Sequence, residues 1–365
     1  MCEKVLAFRL ISVYNEDNTI VRMTMRNQLG IDIGSANLTV SAANEGIILK
    51  EPSLVAKSRA DGRFLACGTE AKKLAEKGAC SIIRPFRESL CSKHLTVQTI
   101  SYLLDRAECD KEKNRVLIAS PCGESEAKEA ALIELAAQAG IGECYLVYST
   151  VAAVIGEGMD FDRAKCVLEI GASRSNMLVV GNGTILYRDT IRAAGDSFDH
   201  AIMTYLEQHY EMKINPYAAE QIKRHIGSVW TGTERNSVEV TGRHMRTGEI
   251  IRKRIWSDEL LIVFESPMTE LLETVCRALH KLPAEFIRDV LEDGIYICGG
   301  GSLLKGLPQM IREITHVKVV QFRHIDSAVA RGLEKILHRL PKEMPLSVGN
   351  ISRNCIRMHT TAKHT

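Results

Sequence analysis

Two segments of this 365-residue chain repeat one design, and that repeat constrains the fold more than any other feature. They are Leu29-Gly-Ile-Asp-Ile-Gly-Ser-Ala-Asn37 and Val167-Leu-Glu-Ile-Gly-Ala-Ser-Arg-Ser-Asn176. Each is an apolar strand carrying one carboxylate, then Ile-Gly, then a run of small polar residues. Asp32 and Glu169 stand about one domain length apart. Turns of this kind aim backbone N–H groups at phosphate oxygens, and the acids can hold a hydrated Mg2+. The pattern predicts two related α/β halves facing across a shared cleft.

Composition narrows the function. Hydrophobic residues at 45% and charged residues at 25% are ordinary globular values, and the length allows two domains with cores of their own. A formal charge of +2 and 5% aromatic residues give no basis for a nucleic-acid surface. The 11 cysteines form no C-x-x-C pair, so no zinc site is signalled. Their odd number and scattered spacing fit reduced, mostly buried thiols of a cytoplasmic protein. No window approaches the ~18 apolar residues of a membrane span. The apolar stretch 5–13 is interrupted by Arg9, and no small-residue cleavage site follows it. It reads as an added strand, a disordered arm, sequence upstream of a start at Met23 or Met25, or an amphipathic segment that touches a membrane.

Apolar periodicity predicts strands over 30–33, 37–43, 46–49, 53–56, 115–119, 144–147, 166–170, 175–180, 183–191 and 294–298. It predicts helices over 69–79, 96–106, 124–139, 199–210, 216–227, 257–281 and 285–292. Ser149 reads as the N-cap of a helix over 151–155. Gly242 and Gly248 read as breaks between short strands in 237–255, and helices fill the chain from Gly301 to about Leu340.

The strings GIDIGSAN, EGIILKEPSLVA, IIRPFRE, AAVIGEG, RAAGDSFDHAI, AEQIKRHIGS, GIYICGGGSLLKGL and DSAVARGL occur in this order. In them the chain resembles the actin-like ATPase superfamily, and within it the MreB family of bacterial actins, from about residue 28 to about 340. The resemblance implies an actin-like ATPase fold of class α/β. Two related ribonuclease-H-like domains would face each other across a nucleotide cleft, each with a smaller subdomain. The first would span 28–165 with its subdomain at about 57–85, and the second 166–340 with its subdomain at about 200–256. The last helix could return to the first domain. Residues 1–27 would be an extension and 341–365 a flexible basic tail.

By that resemblance Gly34, Ser35, Ala36 and Asn37 form the first phosphate loop, with Asp32 and Glu169 holding Mg2+ through water. Gly171, Ala172, Ser173 and Arg174 form the second loop. Gly195 and Asp196 approach the nucleotide, Glu220 and Lys223 contact the nucleoside, and Gly299, Gly300 and Gly301 pack against adenosine. Plainer readings compete. Gly34 could serve only a hairpin turn, the triple glycine could only end a strand, and Asp196 could be a helix N-cap. Glu220 and Lys223 could be a solvated pair.

The chain also departs from the family pattern. Tyr148-Ser149-Thr150 replaces a Glu-Glu-Pro sequence, so Ser149 stands where a catalytic carboxylate positions the attacking water. A serine cannot take a proton at neutral pH, and losing such a base costs roughly 10²–10⁴ in rate. Ala172 and Ser173 replace glycines of the second loop and resist positive φ. Arg174 replaces a threonine, and it could bind a phosphate, fill the phosphate site or face solvent. The charged stretch 108–114 stands where some relatives carry an apolar, membrane-inserting loop.

The expected protein binds ATP with Mg2+, has at most weak ATPase activity, and forms filaments that guide cell-wall synthesis and cell shape. Its partners would be copies of itself or an active paralogue, together with membrane proteins of cell-wall elongation. It would work in the cytoplasm, free or membrane-associated. The alternative is a non-hydrolysing regulatory pseudo-actin that scaffolds or co-assembles with an active paralogue. An Hsp70-type chaperone or a sugar kinase fits less well. Little chain follows residue 340 for a peptide-binding region, and no aspartate stands out as a base for a sugar hydroxyl.

Overall fold

The computed structural model describes residues 10–14, 20–24, 26–78, 80–87, 92–110, 113–339 and 356–359. Two large sheets organise the molecule. The first runs in the order Ile356–His359, Glu143–Tyr148, Arg115–Ser120, Gln28–Ile33, Asn37–Ala42 and Gly46–Pro52. The second runs Thr184–Ile191, Ser175–Gly181, Lys165–Ile170, Ile295–Cys298 and Val319–Gln321. The repeat in the sequence is a repeat in topology. Gln28–Ile33 pairs antiparallel with its hairpin partner and parallel with Arg115–Ser120. Lys165–Ile170 likewise pairs antiparallel with Ser175–Gly181 and parallel with Ile295–Cys298. The register sets Asp32 opposite Thr39, and Glu169 opposite Asn176.

The central strands are apolar on both faces because both faces are covered. Leu29, Ile31, Leu38 and Val40 are fully buried in the first sheet, as are Val167, Leu168, Leu178 and Val179 in the second. A third cluster joins the two halves around the helices Ser149–Glu157 and Ala328–Arg339. These helices cross so closely that only glycine fits at two positions. A Cβ on Gly156 would lie 1.9 Å from the Ala328 carbonyl oxygen, and one on Gly332 would lie 1.7 Å from that of Ala152. Lys335 Nζ donates to the carbonyls of Ile155 at 3.1 Å and Gly156 at 2.9 Å, satisfying the end of the first helix. Ala328–Arg339 also lies against Gln28–Ile33 and Asn37–Ala42 of the first sheet.

Two small sheets flank the halves. Val55–Ser58, Phe64–Cys67 and Cys80–Ile83 pack with the helix Gly68–Glu76, and Met212–Lys213, Ser237–His244 and Ile250–Trp256 form the other. Among the described residues the eight cysteines are free and seven of them are buried. No helix among those residues is long and apolar enough to cross a membrane.

Several expectations need correction. Gly242 does not break its strand: Ser237–His244 runs through it, because a Cβ there would lie 2.6 Å from Met212 Cγ and the neighbouring strand needs that space. The helix expected over 257–281 divides at Phe264 into Ser257–Val263 and Glu265–His280, and Pro267 falls in the first turn of the second piece, where no N–H is required. The stretch after the triple glycine is not wholly helical, since Val319–Gln321 adds an edge strand to the second sheet. Part of the expected loose tail, Ile356–His359, pairs with Glu143–Tyr148 and supplies partners for an exposed sheet edge. Residues 340–355 and 360–365 lie outside the described residues. In the N-terminal stretch Leu10–Tyr14 pairs with Ile20–Thr24, whereas residues 1–9 lie outside the described residues.

Candidate functional site

Between the two halves lies a cavity of about 730 Å³, within the range of small-molecule sites. Every candidate residue lines it: Asp32, residues 34–37, Ser149, Glu169, residues 171–174, Gly195, Asp196, Glu220, Lys223 and residues 299–301. The two repeated turns meet directly, with the Ser173 N–H donating to Ser35 Oγ at 3.1 Å.

The two acids share the cleft floor. Burial pushes Asp32 up to about 7, and the nearby charge of Glu169 adds to the shift. Burial also raises Glu169, against hydrogen bonds from Ser149 and Asn176 that favour its ionised form. Two carboxylates that disfavour each other's charge invite a cation between them. Among the described residues no group of three or more His, Cys, Asp or Glu side chains converges as a metal site. The pair offers oxygen ligands from two side chains, a donor set that fits a hard cation keeping most of its own water.

Ser149 is not a helix cap. Tyr148 is the N-cap and Ser149 is the first helical residue. Its hydroxyl donates instead to Glu169 Oε2 at 2.5 Å, a bond that favours the ionised form of this buried carboxyl. Asn176 Nδ2 donates to the same oxygen at 3.0 Å and to Ser149 Oγ at 3.3 Å. Asn176 Oδ1 accepts from Thr190 Oγ1 at 2.7 Å, which in turn accepts from the Gly123 N–H at 2.9 Å. The position of the expected catalytic carboxylate is thus a hydroxyl whose proton is already engaged.

Asp196 is not a cap either. The helix Gly195–Tyr210 is capped at Ala194, and its first N–H groups are satisfied by the second loop. Gly195 N–H donates to the Gly171 carbonyl at 3.1 Å, and Asp196 N–H to that of Ala172 at 2.6 Å. The Asp196 side chain pairs with Arg87 at 2.8 Å. Burial raises its carboxyl, opposed by Arg87. Glu220 and Lys223 do not pair with each other: Glu220 meets Arg224 at 2.9 Å, and Lys223 Nζ meets Asp199 at 2.8 Å and the Gly195 carbonyl at 2.7 Å.

The three late glycines play different parts. Gly299 has φ +80°, and a Cβ there would lie 2.4 Å from the Ile170 carbonyl oxygen. A Cβ on Gly301 would lie 2.2 Å from Ile170 Cγ2. Both are demanded by packing, whereas a Cβ on Gly300 would meet nothing within 4 Å. Gly300 leaves open, cleft-facing space of the kind a flat ring can occupy. Arg174 lines the cleft and forms an ion pair with Glu124 of the opposite half. The sequence reading did not assign Arg84, Arg87, Glu124, Lys128, Asn176 and Thr190, although all but Thr190 line the cleft. Arg84, Arg87 and Asn176 stand within or beside the quoted motifs, so a signal existed for them. Nothing local marked Glu124 or Lys128.

Solved structures share this architecture. MreB5 of Spiroplasma citri bound to AMPPNP matches with a TM-score of 0.79 at 23% identity, covering 85% of this chain and 96% of that one. A MamK double helical filament matches with a TM-score of 0.73 at 21% identity, covering 86% and 100%. The fold is that of the actin-like proteins, two related α/β domains about a cleft. Residues 26–344 match the MreB/Mbl protein family, and the chain belongs to that family. The cell shape-determining protein MreB of Escherichia coli K12 is 31% identical over 326 residues, 86% of this chain and 94% of that protein. The cell shape-determining protein Mbl of Bacillus subtilis 168 is 28% identical over 321 residues, 86% and 96%.

Proposed function

We propose that this chain is a cytoskeletal protein that binds ATP with hydrated Mg2+ in the cleft and assembles with copies of itself into filaments that direct cell shape. The observation that carries the reading is the meeting of both glycine turns and both carboxylates on one cavity. The relatives support it: two are named as cell shape-determining proteins, MreB5 is known with AMPPNP and with ADP, and MamK as a double helical filament. On the same family ground the domains are 28–165 and 166–340. Further partners are an active paralogue and membrane proteins of cell-wall elongation, and the location is the cytoplasm.

In this reading the backbone at residues 34–37 approaches the phosphates, Gly300 leaves room for the base, and Asp32 with Glu169 orients the hydrated cation. The cation supplies charge neutralisation to the phosphate chain. Ser149 hydrogen-bonds but takes no proton, so hydrolysis is very slow or absent, and the chain acts chiefly by holding nucleotide and assembling. Calorimetric titration of ATP with Mg2+ tests this directly. Wild type gives a binding isotherm, and Asp32→Ala and Gly300→Arg weaken it. No heat from wild type refutes the nucleotide reading, and unchanged binding by both variants refutes the site. Pelleting and electron microscopy with ATP test for filaments, and a protein that stays monomeric over a wide concentration range removes the assembly claim.

A further inference from the structure

We infer that Arg174 is an exchangeable phosphate-binding residue that makes the cleft discriminate a nucleoside triphosphate from a diphosphate, giving up Glu124 for the last phosphate of the longer ligand. The inference rests on the nucleotide reading of the cleft and names what selects within it.

Three observations carry it. The first is where the donors of the second turn already go. Gly171 N–H donates to the Arg174 carbonyl at 2.9 Å, and Ser173 N–H donates to Ser35 Oγ at 3.1 Å. A turn whose amides are engaged in this way offers an anion less backbone, and the donor-rich group remaining on it is the Arg174 guanidinium. That planar fork binds phosphate through two parallel hydrogen bonds.

The second observation is the partner. Arg174 crosses from the second half to Glu124 of the first, and both side chains line the cleft. Glu124 follows Gly123, whose N–H ends the hydrogen-bonded chain from Glu169 through Asn176 and Thr190. The ion pair therefore sits at the carboxylate end of the cleft, where a cation and the end of a phosphate chain would be held.

The third observation makes the exchange inexpensive. Breaking a partly buried ion pair is normally costly because it strands a charge. Glu124 already has a second cation, Lys128 Nζ at 2.7 Å. When Arg174 leaves, Glu124 stays neutralised by Lys128, in the first turn of the helix Glu126–Gln138 that follows it, and the guanidinium gains a more highly charged acceptor. A diphosphate lacks that last group, so with it Arg174 remains on Glu124.

The experiment is calorimetric measurement of affinity for Mg2+–ATP and Mg2+–ADP on wild type, Arg174→Thr and Glu124→Gln. Thermal unfolding of the same proteins and of the double variant, with and without Mg2+–ATP, accompanies it. Arg174→Thr should lose roughly 10-fold or more in ATP affinity with little change for ADP, so that the preference for ATP collapses. Glu124→Gln should bind ATP more tightly and ADP as before, because the competing carboxylate is gone. Without nucleotide the two substitutions should shift the unfolding temperature non-additively, and with ATP that coupling should shrink. An unchanged ATP-to-ADP ratio in Arg174→Thr overturns the inference while the nucleotide reading survives. Weaker ATP binding by Glu124→Gln overturns it as well. A wild type that binds neither nucleotide overturns both.

Discussion

Replacing Asp32 by Asn removes a charge that the fold tolerates at a loss, and the structure gives the size and sign of the effect. Asp32 titrates at about 7 in the folded protein and at its ordinary 3.8 in the unfolded chain, first because it is buried at the cleft floor and second because Glu169 faces it. Between those values the folded form holds a proton that the unfolded chain releases. Stability is therefore fully present below about pH 4, falls as pH rises, and reaches its floor once the folded carboxyl has ionised above about pH 7. At about 1.4 kcal/mol per pH unit the interval amounts to about 4 kcal/mol as an upper figure. Asn has the same shape without the charge. The variant should unfold like wild type near pH 4 and be more stable at pH 8, by up to about 4 kcal/mol. Urea denaturation followed by circular dichroism, at half-unit pH steps and without nucleotide or divalent cation, reads the difference between the two midpoints. That difference isolates Asp32 from other titrating groups, such as Glu157, whose carboxyl is lowered by bonds to Arg323 and His324 against the opposing effect of burial. Glu169 is also raised and contributes in the same direction in both proteins. Mg2+ at millimolar concentration should narrow the gap at pH 8 by stabilising wild type. Parallel curves from pH 4.5 to 8, or an Asn variant that is weaker at pH 8, would refute the reasoning.

The remaining predictions concern the base position and the glycine loop. Ser149→Glu alone should lower stability, since its carboxylate would crowd Glu169 where the serine hydroxyl now lies at 2.5 Å. Combined with Glu169→Asp it should raise phosphate release by roughly 10²–10⁴ over wild type, and a double variant no faster than wild type counts against the missing-base account. Gly301→Ala should destabilise by about 1–3 kcal/mol, because its Cβ would meet Ile170 Cγ2 at 2.2 Å. Gly300→Arg should leave the unfolding midpoint unchanged within about 0.5 kcal/mol yet abolish ATP binding, and equal losses of stability at the two glycines would remove the distinction between packing and ligand space.

The features that could be read from the sequence are those that repeat or that packing forces. The two carboxylate-bearing hairpins announced themselves because strand period, acid and glycine turn recur together, and the structure builds them with the same neighbours in both sheets. Short elements were harder. Val319–Gln321 is three residues long, too few for a period to show, and its strand character comes from pairing with Ile295–Cys298. Gly242 looked like a break because glycine usually is one, and only its neighbour Met212, distant in sequence, explains why a strand needs it. Ser149 looked like a cap because a serine before an apolar helix usually is one, but a carboxylate from another strand drew its hydroxyl away. Glu124 carries no local mark, since its role depends on Arg174, which only the closed cleft brings near.

The same contrast bears on mechanism. Holding a cation and a phosphate chain requires close backbone approach and carboxylate oxygens, and the cleft presents both in Gly34, Gly300 and the pair formed by Asp32 and Glu169. Activating water requires a free proton acceptor, and at that point the structure offers a hydroxyl committed to Glu169. The two requirements rest on different atoms. Burial raises the Asp32 carboxyl, a cost that a cation bound in the proposed site would offset. On the proposed reading, nucleotide holding and nucleotide hydrolysis would be separated, and a filament would be governed by which nucleotide enters the cleft more than by how quickly the nucleotide is cleaved.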